Sequence, residues 1–508
     1  MLTGKLMHGY MVNDDTFEYL TDYLYDRISP SVKPGYGEED NSPKKNKEAE
    51  LCDLFEHYTY MNGDGALLMS DSGVLYVYNG KYYEKVTTET FFNEVIKTVL
   101  SRMQVSKVYC KNSNKFIAKE CCSGMENKRQ GHFVPNRRYI VFGNGVFDVK
   151  EGVLLPFSKD TRTDIIVDID YDKDAIDPLW NSKIMEIIPN RDMREAFQMF
   201  CGSLLVDREE YRIEYVCFLI GPGSNGKSVI ASAIANVFGD EYFTNFDPEQ
   251  LLNDTNRMFN LANLDGALAN FTDDMKQGNI SSSGFKSFAS GEKFQARHPY
   301  GHKIFKVKAP PLLCCANALP STTDDSWGYH RRILPIYSSM RIWGDKDKDP
   351  NLKAKLCSTH ARQAIFNWIY EGYKMIIANG GNIVLGDEVI EAQNDARADS
   401  NSLRRWIRDM RFIKVKDRPF GDNTWKTLKD WHKMYTDYCY DNGEKNPQIS
   451  RSMSKIFREK GFEETRNKNG IWFSIGSEGI DDVPLGTDAV EESESGIIRQ
   501  VGMDDLPF

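Results

Sequence analysis

The chain reads as an α/β protein: a parallel-sheet core around a phosphate-binding loop, flanked by an N-terminal α+β domain and a C-terminal winged-helix-like module. Three observations predict this. The first is Gly221-Pro222-Gly223-Ser224-Asn225-Gly226-Lys227-Ser228, a glycine, four variable residues and Gly-Lys-Ser, entered from an apolar run at 215–220 and left by apolar residues at helical spacing over 228–238. The second is a hairpin signal ahead of it at 73–83, turning at Asn79-Gly80. The third is the stretch 411–475, where two amphipathic helices are followed by the strand Gly470-Ile471-Trp472-Phe473-Ser474-Ile475.

The elements follow in order. Residues 1–50 are polar and aromatic, and 29–50, with turn residues, the pair Lys44-Lys45 and no apolar period, reads as a loop or linker. A helical period starts near Glu48, and 51–178 makes the α+β domain, whose strand-rich stretch 138–171 turns near Gly143-Asn144-Gly145. A helical collar at 184–205 opens the core domain, placed at 179–345. Residues 346–410 are helical by spacing, with Trp368, Tyr373 and Met375 facing inward. The winged-helix-like module takes 411–475, and 476–508 is a low-complexity acidic tail that reads as disordered.

With 508 residues, 41% hydrophobic and 27% charged, the composition is that of a soluble multidomain protein. No apolar stretch approaches the roughly 20 residues that cross a bilayer, and no basic-then-apolar signal opens the chain. The expectation is a cytoplasmic protein without a membrane partner, in the bacterial host cytoplasm if a phage encodes it. The ten cysteines include Cys121-Cys122 and Cys314-Cys315 but no C-x-x-C, which argues against a zinc site or a disulfide framework. The net charge of −10 is unevenly spread: 476–508 holds nine acidic residues against one arginine, and 411–475 holds fourteen Lys and Arg against nine acidic residues. A near-neutral body with a basic C-terminal module is compatible with nucleic acid.

The glycine loop lets backbone N–H groups turn inward around a β-phosphate, Lys227 neutralises β and γ oxygens, and the Ser228 hydroxyl ligates Mg²⁺, so the chain is expected to bind a nucleoside triphosphate, ATP with Mg²⁺. Further on, Leu268-Ala269-Asn270-Phe271-Thr272-Asp273-Asp274 is a short strand ending in two carboxylates. Asp273 is placed to hold the metal shell and Asp274 to orient and deprotonate the attacking water, as hydrolysis needs both. A second buried strand at 310–316 ends at Asn317, whose amide suits the γ-phosphate or the water. Arg331-Arg332 then precede an apolar strand, where a guanidinium can act in trans on the phosphoryl group of a neighbouring subunit. The spacing of Asp168, Asp170 and Asp172 alternates as on a strand and reads as structural.

The series Gly221 to Ser228, Asp273-Asp274, Asn317 and Arg331-Arg332, together with Asn144-Gly145-Val146-Phe147-Asp148, Asp168-Ile169-Asp170-Tyr171-Asp172 and Ser290-Gly291-Glu292-Lys293, resembles the superfamily 3 helicases of the phage, plasmid and poxvirus primase-helicase type over residues 70–475. The resemblance implies an AAA+-like core that assembles as a ring, usually a hexamer, with ATP between subunits. It places Lys227, Ser228, Asp273, Asp274 and Asn317 in cis and Arg331 or Arg332 in trans. Asn270 and Thr272 stand where a more aliphatic run is usual, which leaves the roles of Asp273 and Asp274 exchangeable. The resemblance also implies a β-hairpin at 294–307 that grips single-stranded DNA in the ring channel, with Arg297, Tyr300, His302 and Lys303 as its contacts. Lys286 resembles a further lysine near the nucleotide. Too little chain precedes residue 130 for the primase domain of many relatives, so priming is expected elsewhere.

The last residues, Met503-Asp504-Asp505-Leu506-Pro507-Phe508, resemble the C-terminal peptide of bacterial single-stranded DNA-binding proteins, which implies binding to host replication proteins that recognise such tails through Asp504, Asp505, Leu506, Pro507 and Phe508. The expected activity is therefore ATP-dependent unwinding of forked DNA by translocation on one strand, 3′ to 5′ as in the family, during replication of a phage or mobile element. The competing reading is an origin-binding or loader ATPase that uses ATP as an assembly switch without unwinding. A small-molecule kinase would leave Asn317, the paired arginines and the basic module without a role.

Overall fold

The computed structural model describes residues 4–7, 10–32, 44–61, 65–70, 74–86, 88–105, 107–127, 133–223, 225–253, 256–275, 281–299, 304–320, 322, 324, 326–338, 349–442 and 447–477. They divide into two compact units, Met1–Ser400 and Asn401–Phe508. Among the described residues no helix is long and apolar enough to cross a membrane.

The first unit begins with more structure than its polar composition announces. Leu20, Leu24 and Ile28 recur at helical spacing on the helix Asp14–Ile28 and are fully buried with Phe55, Val95, Val99 and Ile117. The linker expected at 29–50 is shortened by the helix Lys44–Glu56, which buries Leu51 and Phe55 in that same cluster. The hairpin at Asn79-Gly80 forms, pairing Leu75–Tyr78 with Tyr83–Val86, and Leu67–Met69 adds a third antiparallel strand. Asn79 Oδ1 accepts from the N–H groups of Lys81 and Tyr82, the local bonding that makes asparagine a turn residue. A second antiparallel sheet, Tyr139–Phe142, Gly145–Asp148 and Val153–Leu155, completes the α+β region. Asp168, Asp170 and Asp172 do not alternate on a strand. They lie in an irregular segment that meets the sheet through the bridge Val141–Ile166, and Asp168 pairs with Arg362.

The collar expected as one helical stretch is two helices, Pro178–Ile187 and Arg191–Gly202, because Pro189 interrupts it and the Asn190 side chain caps the second. Arg191–Gly202 packs on Thr359–Ala378 so closely that a Cβ at Gly202 would stand 2.2 Å from the Tyr373 nitrogen.

The centre of the unit is a five-stranded parallel sheet. We number its strands β1 (Val216–Ile220), β2 (Phe243–Thr244), β3 (Ala269–Thr272), β4 (Leu312–Ala316) and β5 (Ile333–Tyr337); the spatial order is β2-β3-β4-β1-β5, all parallel. Strands β1 and β4 are buried along their whole length, as continuous apolar runs covered on both faces must be. The helix α1 (Lys227–Phe238) follows β1, and α2 (Ser282–Ala289) lies between β3 and β4. An antiparallel hairpin, Lys293–Ala296 with Phe305–Lys308, also leaves the chain between β3 and β4.

The second unit holds helices Ser402–Asp409, Leu428–Asp441 and Ser450–Lys460 and an antiparallel sheet of Trp425–Thr427, Gly470–Ser474 and Glu463–Asn467 in that spatial order. Leu403, Trp406 and Ile407 are buried with Trp431, Tyr435, Phe457 and Phe473, so Ser402–Asp409 packs with this core. Thr427 caps its helix through the Asp430 N–H, and Gly461, at φ 74°, ends the next.

Candidate functional site

Parallel topology sends every β-to-α connection to the carboxyl edge of the sheet, where ligands of open α/β sheets bind. At that edge the strand β1 stops at Ile220, and Gly221 donates its N–H to the Ala316 carbonyl at the end of β4. The loop then closes on itself. Gly226 has φ 83°, a backbone conformation that favours glycine, and a Cβ there would lie 2.5 Å from Ile187 Cδ1, which would have to shift to admit it.

Within the loop the Lys227 ammonium donates to the Gly221 carbonyl at 2.7 Å, the Pro222 carbonyl at 3.1 Å and Asn225 Oδ1 at 2.9 Å. Burial pushes its pKa below the usual lysine value, while the charges of Asp274 and Asp273 work against that shift. Asn225 is 2% exposed, and its Nδ2 has no partner among the described residues. A buried donor facing no acceptor is rare and costly, and a phosphate oxygen is the acceptor that a glycine loop of this kind is shaped to receive. Pro222 and Gly223 are exposed; Ser224 lies outside the described residues.

Ser228, one residue into α1, donates its hydroxyl to Asp273 Oδ1 at 2.5 Å, so the hydroxyl and the carboxylate converge on one point. Asp273 is held from behind by its own N–H on Asn245 Oδ1 at 3.2 Å. Asp274 is exposed at φ 56°, a left-handed conformation strained for a non-glycine residue. Asn270 and Thr272, unusual in so buried a strand, are satisfied by the segment beside them: Asn270 bonds Thr244 and both backbone groups of Phe246, and Thr272 donates to the Phe246 carbonyl. Asn317 is exposed directly after β4, at the same edge. Ser228 and Asp273 also border a hollow of about 270 Å³ with Asn245, Thr244 and Phe271. Among the described residues no three His, Cys, Asp or Glu side chains are grouped to hold a metal by themselves.

Arg331 and Arg332 are at the opposite edge. Arg332 carries the carbonyl that receives the Val216 N–H at the start of β1, so the length of β1, roughly 15 Å, separates the arginines from the loop of their own subunit. Sequence reading found these arginines and missed their partner, Glu214. Arg331 donates to Glu214 Oε2 at 2.5 Å and Arg332 lies 3.2 Å from the same oxygen. Arg332 also donates to the Gly328 carbonyl at 2.5 Å and to Ser290 Oγ at 3.1 Å. Burial alone would raise the Glu214 pKa, but hydrogen bonds from Arg331 and Ser290 and both arginine charges hold it below the usual carboxylate value.

The hairpin expected at 294–307 forms, with Lys293 opposite Lys308 at its root and Ala296 opposite Phe305. Arg297 is exposed, with its guanidinium 5.3 Å over the Phe259 ring. Tyr300, His302 and Lys303 lie outside the described residues. The root is anchored by two residues that no motif marked. Glu209 bridges Lys293 at 3.2 Å and Lys308 at 3.0 Å, and Arg208 donates to the carbonyls of Ala309, Ile213 and Ala289. Burial lowers the Arg208 pKa to about 10. A larger cavity, about 410 Å³, lies away from the loop beside this anchor, between the α+β region and the hairpin root. Lys286, on α2, is held by Asp324 at 2.6 Å and Ser326 at 3.1 Å. Residues 504–508 lie outside the described residues.

Comparison with known proteins adds the following. A family described as D5 N terminal like matches residues 54–189, and a family of unknown function (DUF5906) matches residues 219–332. Among solved structures, the A form apo structure of the NrS-1 C terminal region is 9% identical over 81% of this chain and 96% of that one, with a TM-score of 0.42. A second apo structure of the NrS-1 C terminal region is 8% identical over 80% and 95%, with a TM-score of 0.39.

Proposed function

We propose, for a chain that belongs to the superfamily 3 helicases of the phage, plasmid and poxvirus primase-helicase type, an ATP-driven DNA helicase whose AAA+-like subunits assemble in a ring, a hexamer by resemblance to that family. The observation that carries this reading is the split of the polar site residues between the two edges of one parallel sheet: Lys227, Ser228, Asp273 and Asn317 at the carboxyl edge, Arg331 and Arg332 at the amino edge. A group that cannot reach the loop of its own subunit is useful to a neighbour's, which is the arrangement of a ring with nucleotide between subunits.

The residues present fit ATP and Mg²⁺. The orphaned Asn225 Nδ2 and the Lys227 ammonium supply donors for phosphate oxygens, with the three loop acceptors of Lys227 replaceable by them. Ser228 and Asp273 supply the oxygen pair for a divalent ion, which would polarise the transferring phosphoryl group. Asp273 thereby takes the metal side, and Asp274 and Asn317 are left to orient the attacking water and the γ-phosphate.

Two further parts grip DNA. The hairpin carries Arg297, and the sequence between its strands supplies Tyr300, His302 and Lys303, an aromatic with cations suited to stacking and phosphate contact. In the second unit, a strand, two helices and a two-stranded wing follow one another as in a winged helix, and the helix Ser450–Lys460 exposes Arg451 and Lys455. The tail Asp504-Asp505-Leu506-Pro507-Phe508 would recruit host proteins that bind such peptides.

Strand displacement on a forked duplex tests the reading, comparing the wild type with Lys227→Ala and with the double change His302→Ala, Lys303→Ala. A motor unwinds as wild type, loses hydrolysis and unwinding in Lys227→Ala, and keeps hydrolysis without unwinding in the hairpin variant. Wild-type protein that hydrolyses ATP and binds DNA but displaces no strand, even at a preformed fork, would instead favour an origin-binding or loader ATPase.

A further inference from the structure

Glu214 stands at the centre of an excess of positive charge. Its Oε2 takes Arg331 at 2.5 Å and Arg332 at 3.2 Å; its Oε1 takes Arg212 Nε at 2.8 Å and Ser290 Oγ at 3.0 Å. Three guanidiniums therefore share one carboxylate. They do so at a hollow of about 380 Å³ that Asn382 also lines, so the cluster keeps a net charge of about +2, with no second carboxylate among the described residues that line it. Such a hollow favours an anion.

The three arginines are not equivalent. Arg332 is 11% exposed, and Gly328 and Ser290 hold it besides Glu214. Arg331 is 41% exposed, and Glu214 is the one hydrogen-bond partner of its guanidinium among the described residues. Arg331 can leave at the cost of a single ion pair. Glu214, 14% exposed, would keep Arg332, Arg212 and Ser290, so the departure leaves no buried carboxylate uncompensated.

We infer that Glu214 is a positioning residue that parks Arg331 in the isolated subunit and surrenders it to the terminal phosphate of a nucleotide held by the neighbouring subunit. The inference rests on the reading of Arg331-Arg332 as trans-acting, and it assigns the mobile role to Arg331 and the fixed one to Arg332. A terminal phosphate carries more charge than a carboxylate, and it offers a guanidinium two oxygens where Glu214, its Oε1 taken by Arg212 and Ser290, offers one, so the phosphate wins the exchange. Parking then sets a threshold: ring closure must displace Arg331 from Glu214 before the interface is complete. Because the pair is partly exposed, the threshold is modest, about three- to fivefold in nucleotide concentration.

The test is assembly of the full chain, followed by sedimentation velocity while a hydrolysis-resistant ATP analogue is titrated with Mg²⁺, alongside ATP turnover. Glu214→Gln is expected to lower the analogue concentration for half-assembly by about three- to fivefold. In an Arg331→Ala background the same change is expected to do nothing, since no guanidinium remains to be released. A shift of equal size in both backgrounds, or a higher midpoint for Glu214→Gln, overturns the inference. Should Glu214→Gln fold poorly, Glu214→Asp keeps the charge beside Arg332 and withdraws it by one methylene from Arg331; a folded Glu214→Asp with an unchanged midpoint overturns it equally. Arg331→Ala with unaltered assembly and turnover would instead remove the trans-acting reading itself, and this inference with it.

Discussion

The two edges of the parallel sheet are built in opposite ways. At the carboxyl edge the polar groups await something: Asn225 Nδ2 is buried with no acceptor among the described residues, Lys227 is folded onto loop carbonyls, and Asp273, Asp274 and Asn317 are exposed. At the amino edge the carboxylate is already taken, since Glu214 holds Arg212, Arg331, Arg332 and Ser290 at once, although Arg332 Nε is buried without an acceptor among the described residues. An unsatisfied edge gains by binding, whereas a satisfied edge must give something up first. Interfaces that close around a ligand can draw their specificity from that difference, because the satisfied side moves only when the ligand offers more than the internal partner does.

The largest expected effect separates the two arginines. Arg331→Ala should lower kcat for ATP by about a thousandfold in assembled rings, with the melting temperature unchanged. Arg332→Ala should cost stability as well, about 2 kcal/mol in urea unfolding, because a mostly buried cation with three acceptors is removed. Equal effects of the two on kcat and on stability would break the distinction drawn between them. Next in size, Lys227→Ala should lower hydrolysis by about a hundredfold or more while leaving the hairpin and the amino edge intact. Mixed rings sharpen the comparison: Lys227→Ala and Arg331→Ala subunits combined should recover turnover that neither gives alone, as they place one intact loop opposite one intact arginine. No recovery would put the two residues on the same side of the site.

The geometry of the carboxyl edge was legible in the sequence because a glycine loop of this spacing ties a strand, a tight turn and a helix together. Gly221 to Ser228 fixes strand, turn and helix at once, and Asp273 and Asn317 each directly follow a short buried strand. The amino edge was half legible. Arg331-Arg332 shows as a charged pair before β5, but Glu214 and Ser290 are single polar residues 117 and 41 positions before Arg331, and only the parallel pairing of β1 with β5 brings Glu214 beside it. Arg208-Glu209 was hidden for the same reason, since the hairpin root it holds is formed by residues far along the chain. In the N-terminal region composition misled: the helix Asp14–Ile28 buries Leu20, Leu24 and Ile28 under a sequence whose many polar and aromatic residues mask the period.

A glycine contrast within the loop is the third way to probe the unsatisfied edge. Gly226→Ala must place a Cβ at φ 83° and 2.5 Å from Ile187, and is expected to cost about 2 kcal/mol in urea unfolding. A Cβ at Gly223 meets nothing within 4 Å, so Gly223→Ala should leave stability within about 0.5 kcal/mol of wild type. If both changes are neutral, the loop is not held in this shape without its ligand.

The smallest effect tests whether the amino edge speaks to the hairpin. Ser290 donates to Glu214 and accepts from Arg332, and it immediately precedes Gly291, which turns at φ 66° into the hairpin strand Lys293–Ala296. Removing the hydroxyl in Ser290→Ala deletes one hydrogen bond on each side, for about 1 kcal/mol of stability. Its effect on turnover without DNA should be slight, because Glu214 and Arg332 still touch. Its effect on the stimulation of turnover by single-stranded DNA should be larger, a loss of about half or more, because the hydroxyl is the side-chain link between the arginine pair and the hairpin root. Stimulation that survives unchanged in Ser290→Ala would place the link elsewhere, with Arg208, which donates to both Ala289 and Ala309 on either side of the hairpin, as the next residue to change.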